Sequence, residues 1–119
     1  MDFDEYAEFV IKMMSEQTKK SLRDALATSA LGIGGESGEV VDIVKKVLYH
    51  GLTFDQEVKE KLVRELGDLF FYVAFLTKYV LGLTIEDVML ANVGKLKDRY
   101  KTGTFTEAEF LAKERAKNE

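Results

Sequence analysis

The sequence contains no cysteine, no proline and no tryptophan, and only one histidine, His50, in 119 residues. Without cysteine there is no disulfide, no thiolate zinc site and no cysteine nucleophile. A single histidine excludes, within one chain, any centre that needs two imidazole ligands. Proline makes up about 5% of an average chain, and a chain that never uses it is predicted to be mostly helix. Long apolar runs are missing too. The longest, Leu69 to Leu76, falls far short of the ~20 residues that a membrane helix needs. The start, Met1-Asp2-Phe3-Asp4-Glu5, is acidic and lacks the basic and apolar stretches of a secretory signal. These absences lead to the expectation of a cytoplasmic protein with no membrane partner. With 17 basic and 21 acidic residues the formal charge is -4, which disfavours a generic nucleic-acid surface, so no nucleic acid polymer is expected as a partner.

What is present reads as one domain, residues 1–119, large enough to bury a core. Phe3, Tyr6, Val10, Met13 and Met14 recur at helical spacing, predicting a first helix from about Phe3 to Glu16 capped by Asp2 or Asp4. A second is expected from near Leu22 to Tyr49, with Gly51 beyond its end. Gly32, Gly34, Gly35 and Gly38 lie inside it. Such glycines mark either a loop or a place where another backbone comes close. A continuous or kinked helix is the better reading, since Val40, Val41, Val44, Val47 and Leu48 keep the period. Thr53-Phe54-Asp55-Gln56 has the form of a capping box with Thr53 as N-cap, opening a third helix to about Leu81. Its second half is apolar nearly all round, which predicts a central position and contact with a second subunit. A fourth helix is expected from Thr84-Ile85-Glu86-Asp87 to Tyr100, and a short fifth from Thr106 to about Ala116. The predicted fold class is all-α, a four-helix bundle with a short extra C-terminal helix, oligomeric.

The chemistry lies in two acidic pairs, Glu36 and Glu39 on the second helix and Glu65 and Asp68 on the third. Residues at i and i+3 share a helix face. Antiparallel packing of the two helices would bring four carboxylates to one pocket, where they repel unless a cation sits among them. Asp68 and Glu39 each adjoin an apolar stretch, a costly place for an uncompensated carboxylate. Oxygen-only donors on a rigid frame suit Mg²⁺, with Mn²⁺ as the alternative. A di-iron centre would need Glu-x-x-His motifs, and the residue three before His50 is Val47. His50 is expected to be a cap or a surface group. Gly38 and Gly67 each precede an acidic residue, where lack of a side chain lets the helices approach or a phosphate enter.

Gly35-Glu36-Ser37-Gly38-Glu39-Val40, followed by Glu65-Leu66-Gly67-Asp68-Leu69-Phe70-Phe71-Tyr72, resembles the MazG family of nucleoside triphosphate pyrophosphohydrolases. Asn92-Val93-Gly94-Lys95-Leu96-Lys97-Asp98-Arg99-Tyr100 is similar to the Asn-x-x-Lys-Leu-x-x-Arg segment of its small phage-type members. The likeness spans about residues 22 to 105. One position departs: the family motif is written Glu-Glu-x-x-Glu, and this chain has Gly35 at the first Glu. The resemblance implies an all-α pyrophosphatase fold, Mg²⁺ dependence, hydrolysis of an NTP or dNTP to the monophosphate and pyrophosphate, and a homodimer or homotetramer. It also implies that Asn92 hydrogen-bonds sugar or base.

The physical reading agrees. An acidic pocket holds a polyanionic triphosphate only through cations, so Glu36, Glu39, Glu65 and Asp68 are the expected metal ligands, with in-line attack of water at the α-phosphorus. Either Glu36 or Glu39 would accept the proton of that water. Lys46, two turns beyond Glu39, and the basic edge of Lys95 and Arg99 would meet the pyrophosphate. Tyr72, one turn after Asp68, would stack on a base, and Asp42 would pair with Lys46 at i+4. Two other readings stand beside this one: a dUTP- or dCTP-specific pyrophosphatase of the same superfamily, and a non-catalytic helical interaction or nucleotide-sensing module whose acidic pairs are merely solvated.

Overall fold

The structure, a computed structural model, describes residues 1–118. The described residues form five α-helices and no strand: α1 (Phe3–Met13), α2 (Leu22–Tyr49), α3 (Gln56–Phe75), α4 (Ile85–Arg99) and α5 (Glu107–Lys117). A π-helical turn, Leu76–Val80, continues α3. Positive φ occurs at Gly51, Gly82 and Gly103, so glycine follows α2 and the π turn and sits in the turn beyond α4 in a conformation that a side chain would strain.

Local chemistry accounts for the helix starts. Asp2 caps α1, accepting the Glu5 N–H at 2.8 Å. Ser21 caps α2, accepting the Asp24 N–H at 3.0 Å. Thr106 caps α5, accepting the Glu109 N–H at 3.2 Å. The Thr53 cap expected for α3 is not used. Asp55 takes that place, and its Oδ1 accepts the Val58 N–H at 3.0 Å. A carboxylate there complements the helix dipole as well as satisfying the N–H, which a hydroxyl does not.

The chain divides into two compact units, Met1–Ile85 and the segment from Glu86 onward. In the first, α1, α2 and α3 pack around a core of Ala7, Val10, Met14, Ala25, Ala74 and Phe75, with Phe3, Tyr6, Ile11, Phe71, Tyr72 and Val80 against it. α2 runs without interruption through its four glycines. Ser29, buried in α2, donates to the Ala25 carbonyl at 2.7 Å, so its hydroxyl costs the core little. α1 is clipped to the π turn. Lys78 Nζ donates to Asp4 at 2.7 Å and Glu8 at 3.4 Å, and these carboxylates push the lysine pKa up. Tyr79 stacks on Phe75 with ring centres 4.8 Å apart and donates to the Lys19 carbonyl at 3.1 Å. In the second unit the rings of Tyr100, Phe105 and Phe110 pack in a row. There Glu109 accepts the Lys101 backbone N–H at 3.0 Å and the Thr102 hydroxyl at 3.2 Å. No single helix among the described residues is long and apolar enough to cross a membrane.

Candidate metal centre

The centre lies between α2 and α3. Glu36 on α2 and Glu65 and Asp68 on α3 each offer a carboxylate oxygen, and these atoms lie within 4.8 Å of one another. The helices run antiparallel. Gly32 of α2 faces Tyr72 of α3, while Glu36, later in α2, meets Asp68, earlier in α3. Glu36 and Glu65 are half-buried and Asp68 is exposed, so the group opens to water on the Asp68 side.

Electrostatics mark the same spot. The Glu36 carboxyl has a pKa raised above the usual range, first by desolvation, then by the charges of Asp68 and Glu65, a hydrogen bond with Glu65, and the charge of Glu39. Glu36 therefore keeps its proton to higher pH than an ordinary glutamate. A divalent cation would displace that proton and relieve the repulsion. Three oxygen donors within a few ångströms, one raised in pKa by desolvation and then by its neighbours' charge, fit a hard divalent ion.

The fourth carboxylate expected at this pocket stands apart. Glu39 is exposed, one turn beyond Glu36, and lies outside the group whose oxygens converge. Its charge is one of the causes that raise the Glu36 pKa. Lys46 is tied down: Asp42 accepts from Lys46 at 2.8 Å and from Lys45 at 3.3 Å. The two ammonium groups lower the Asp42 pKa, and Asp42 raises that of Lys46. The pairing of Asp42 with Lys46 thus has its expected i,i+4 form. His50 is exposed and caps α2 by donating its backbone N–H to the Lys46 carbonyl at 3.1 Å. Tyr72 is half-buried, with its ring against Gly32 and edge-on to Phe71 at 5.3 Å. Asn92, Lys95 and Arg99 all lie on α4, in register along one side: Asn92 and Lys95 are exposed and Arg99 half-buried.

Two features escape the sequence pattern. A Cβ added at Gly34, Gly35, Gly38 or Gly67 would meet nothing within 4 Å, so the helices do not approach through Gly38 and Gly67 as expected. The close approach is at Gly32, where a Cβ would fall among Cγ, Cδ1 and Cε1 of Tyr72. The other is Tyr6 of α1. Its hydroxyl points at the Gly67 carbonyl at 3.4 Å, and its pKa is raised by burial and by the charge of Asp68. Nothing in the spacing of α1 ties Tyr6 to the acidic residues, because the contact spans 61 positions.

The family model of the MazG nucleotide pyrophosphohydrolase domain matches residues 17–104. The chain belongs to the MazG nucleotide pyrophosphohydrolase family. This MazG match takes in α2, α3 and α4 whole and leaves α1 and α5 outside. The Gene 37 protein of Mycobacterium phage L5 is 35% identical over 81 residues, which cover 67% of this chain and 70% of that protein. No solved structure matches the chain. In this MazG domain the three converging carboxylates all lie within the matched residues.

Proposed function

We propose that the protein is a Mg²⁺-dependent nucleoside triphosphate pyrophosphohydrolase that converts an NTP or dNTP to the monophosphate and pyrophosphate. The convergence of Glu36, Glu65 and Asp68 in a MazG domain carries this reading. These three carboxylates would hold the cation, with Mn²⁺ as an alternative to Mg²⁺. Bound there, the ion supplies neutralisation of the triphosphate and polarisation of its phosphoryl oxygens.

The chain's own groups would do the rest. Water attacks the α-phosphorus, its oxygen forms the new P–O bond, and the bond to the bridging oxygen breaks to release pyrophosphate. The water's proton goes to Glu36 or Glu39. Glu39 is the base this reading favours, because it stays outside the group whose oxygens converge and so would be left free by the cation. Lys46, oriented by Asp42, together with Lys95 and Arg99, would offset the charge of the departing pyrophosphate. Tyr72 and Asn92 would meet the base and sugar. A four-helix bundle assembled as a homodimer or homotetramer belongs to the same proposal, and light scattering on the eluting protein tests it.

The deciding experiment is a panel of NTPs and dNTPs with Mg²⁺, pyrophosphate and orthophosphate being measured separately. The expected result is pyrophosphate in equal amount to the monophosphate. Absence of turnover across the panel overturns the proposal, and turnover of dUTP or dCTP alone narrows it to the base-specific enzyme.

A further inference from the structure

Glycine in mid-helix weakens α2, so a glycine that packs tightly stands where a side chain would do harm. Of the four glycines in α2, a Cβ would clash only at Gly32. The atoms that it would strike include Cγ of Tyr72, the root of the ring, which cannot swing aside as the far end of a long side chain can. The ring is held further by Phe71, edge-on at 5.3 Å. Gly32 lies four residues before Glu36 and Tyr72 four residues after Asp68. The contact is therefore one turn, about 6 Å along the helices, from the carboxylates that α2 and α3 bring together.

We propose that Gly32 and Tyr72 are a positioning pair: ring against bare backbone sets the separation of α2 and α3, and that separation sets the spacing of Glu36 against Glu65 and Asp68. The inference rests on the reading of these carboxylates as a cation site. Toward the cation, Tyr72 is a spacer whose ring matters and whose hydroxyl does not. A cation needs its oxygen ligands at fixed reach, so widening the seam by part of an ångström weakens binding even though every ligand is present.

The test uses the full chain and Mn²⁺ alone, titrated with Asp68→Ala as the blank. Gly32→Ala is expected to weaken Mn²⁺ binding at least about tenfold, the scale at which disturbing groups that orient metal ligands is felt. Alanine is the better helix former, so a weaker α2 would not explain that loss. Gly38→Ala, with open space at its Cβ, should bind as the unsubstituted chain does. Gly32→Ala combined with Tyr72→Val, which makes room for the methyl group, should recover the affinity. Tyr72→Phe should keep it, and Tyr72→Val alone should lose it. If Gly32→Ala does not fold, the comparison of Tyr72→Phe with Tyr72→Val decides, and equal binding by the two overturns the proposal. Normal Mn²⁺ binding by folded Gly32→Ala overturns it as well. A readout without metal separates this inference from the function beneath it. Because the chain has no cysteine, spin labels placed through Leu31→Cys and Leu66→Cys, both at exposed positions, report the distance between α2 and α3. That distance should lengthen in Gly32→Ala and return in the double variant, and an unchanged distance sinks the spacer. Should the unsubstituted chain bind Mn²⁺ no better than the blank, the cation site itself fails, whatever the labels show.

Discussion

The two acidic pairs have the same spacing and different fates. On α3 both members, Glu65 and Asp68, reach the common group, while on α2 Glu36 reaches it and Glu39 does not. Three residues turn a helix through about 300°, not a full circle, so the two members of a pair point some 60° apart. Where the seam between helices bisects that angle, both carboxylates enter. Where one member points straight at the partner helix, the other swings to the rim. Spacing within a helix limits which groups can meet, and the rotation of one helix against its neighbour decides which do.

The comparison breaks first at the residues that converge. Asp68→Ala should abolish stabilisation by Mg²⁺ in a thermal melt and lower pyrophosphate release by more than about 100-fold, since loss of a ligand exceeds the loss from groups that merely orient one. Preserved stabilisation by Mg²⁺ would place the ion elsewhere. Glu39→Ala sharpens the contrast: metal affinity should change by less than about tenfold, while turnover falls by about 10² or more if Glu39 takes the water's proton. Equal losses of affinity in Glu36→Ala and Glu39→Ala would erase the distinction between the two.

The third effect is one of pH. The pKa of Glu36 is raised in the folded chain, chiefly by desolvation and then by Asp68 and Glu65. The folded state therefore binds a proton that the unfolded state releases at lower pH. This contribution to stability is complete below the ordinary glutamate pKa and is lost as pH rises through the raised value. Urea midpoints of the metal-free protein should fall as pH rises through that window, and Glu36→Gln should flatten the slope. Saturating Mg²⁺ should remove it as well, because the cation replaces the proton. The smallest effect is at Gly38. With open space at its Cβ, Gly38→Ala should raise unfolding stability by up to about 1 kcal/mol through helix propensity alone. A loss in the urea midpoint would reveal a neighbour that the fold has yet to show.

Helix positions were readable from the sequence because period and punctuation agree in most of the chain. Leu22 and Tyr49 bound α2 as expected despite four internal glycines, since the valine period beyond them outweighs the cost of each glycine. Thr53 misled because a hydroxyl and a carboxylate two residues apart can both cap, and only the path of the loop selects Asp55. The π turn leaves no mark in the sequence, because nothing in Leu76-Thr77-Lys78-Tyr79-Val80 signals a change of pitch. At the site, residue types and spacing named Glu36, Glu65 and Asp68. They could not name Gly32 over Gly38, because two glycines on one helix differ only in which face meets α3. Tyr6 was out of reach for the same reason: its partner is distant in sequence, and tertiary packing alone joins them.

The π turn has an outcome of its own. A hydrogen bond from the Leu81 N–H back to the Leu76 carbonyl, at 3.0 Å, spans five residues where a regular helix spans four. One extra residue is thus absorbed in the coil, and all that follows is rotated by about 100°. Lys78 and Tyr79, which fasten α1 and the segment before α2, hang on that rotation. Deleting Thr77, the residue before them, would restore regular pitch and turn both fasteners away from their anchors. The last coil of α3 is a phase shifter, and its timing keeps the amino-terminal helix latched.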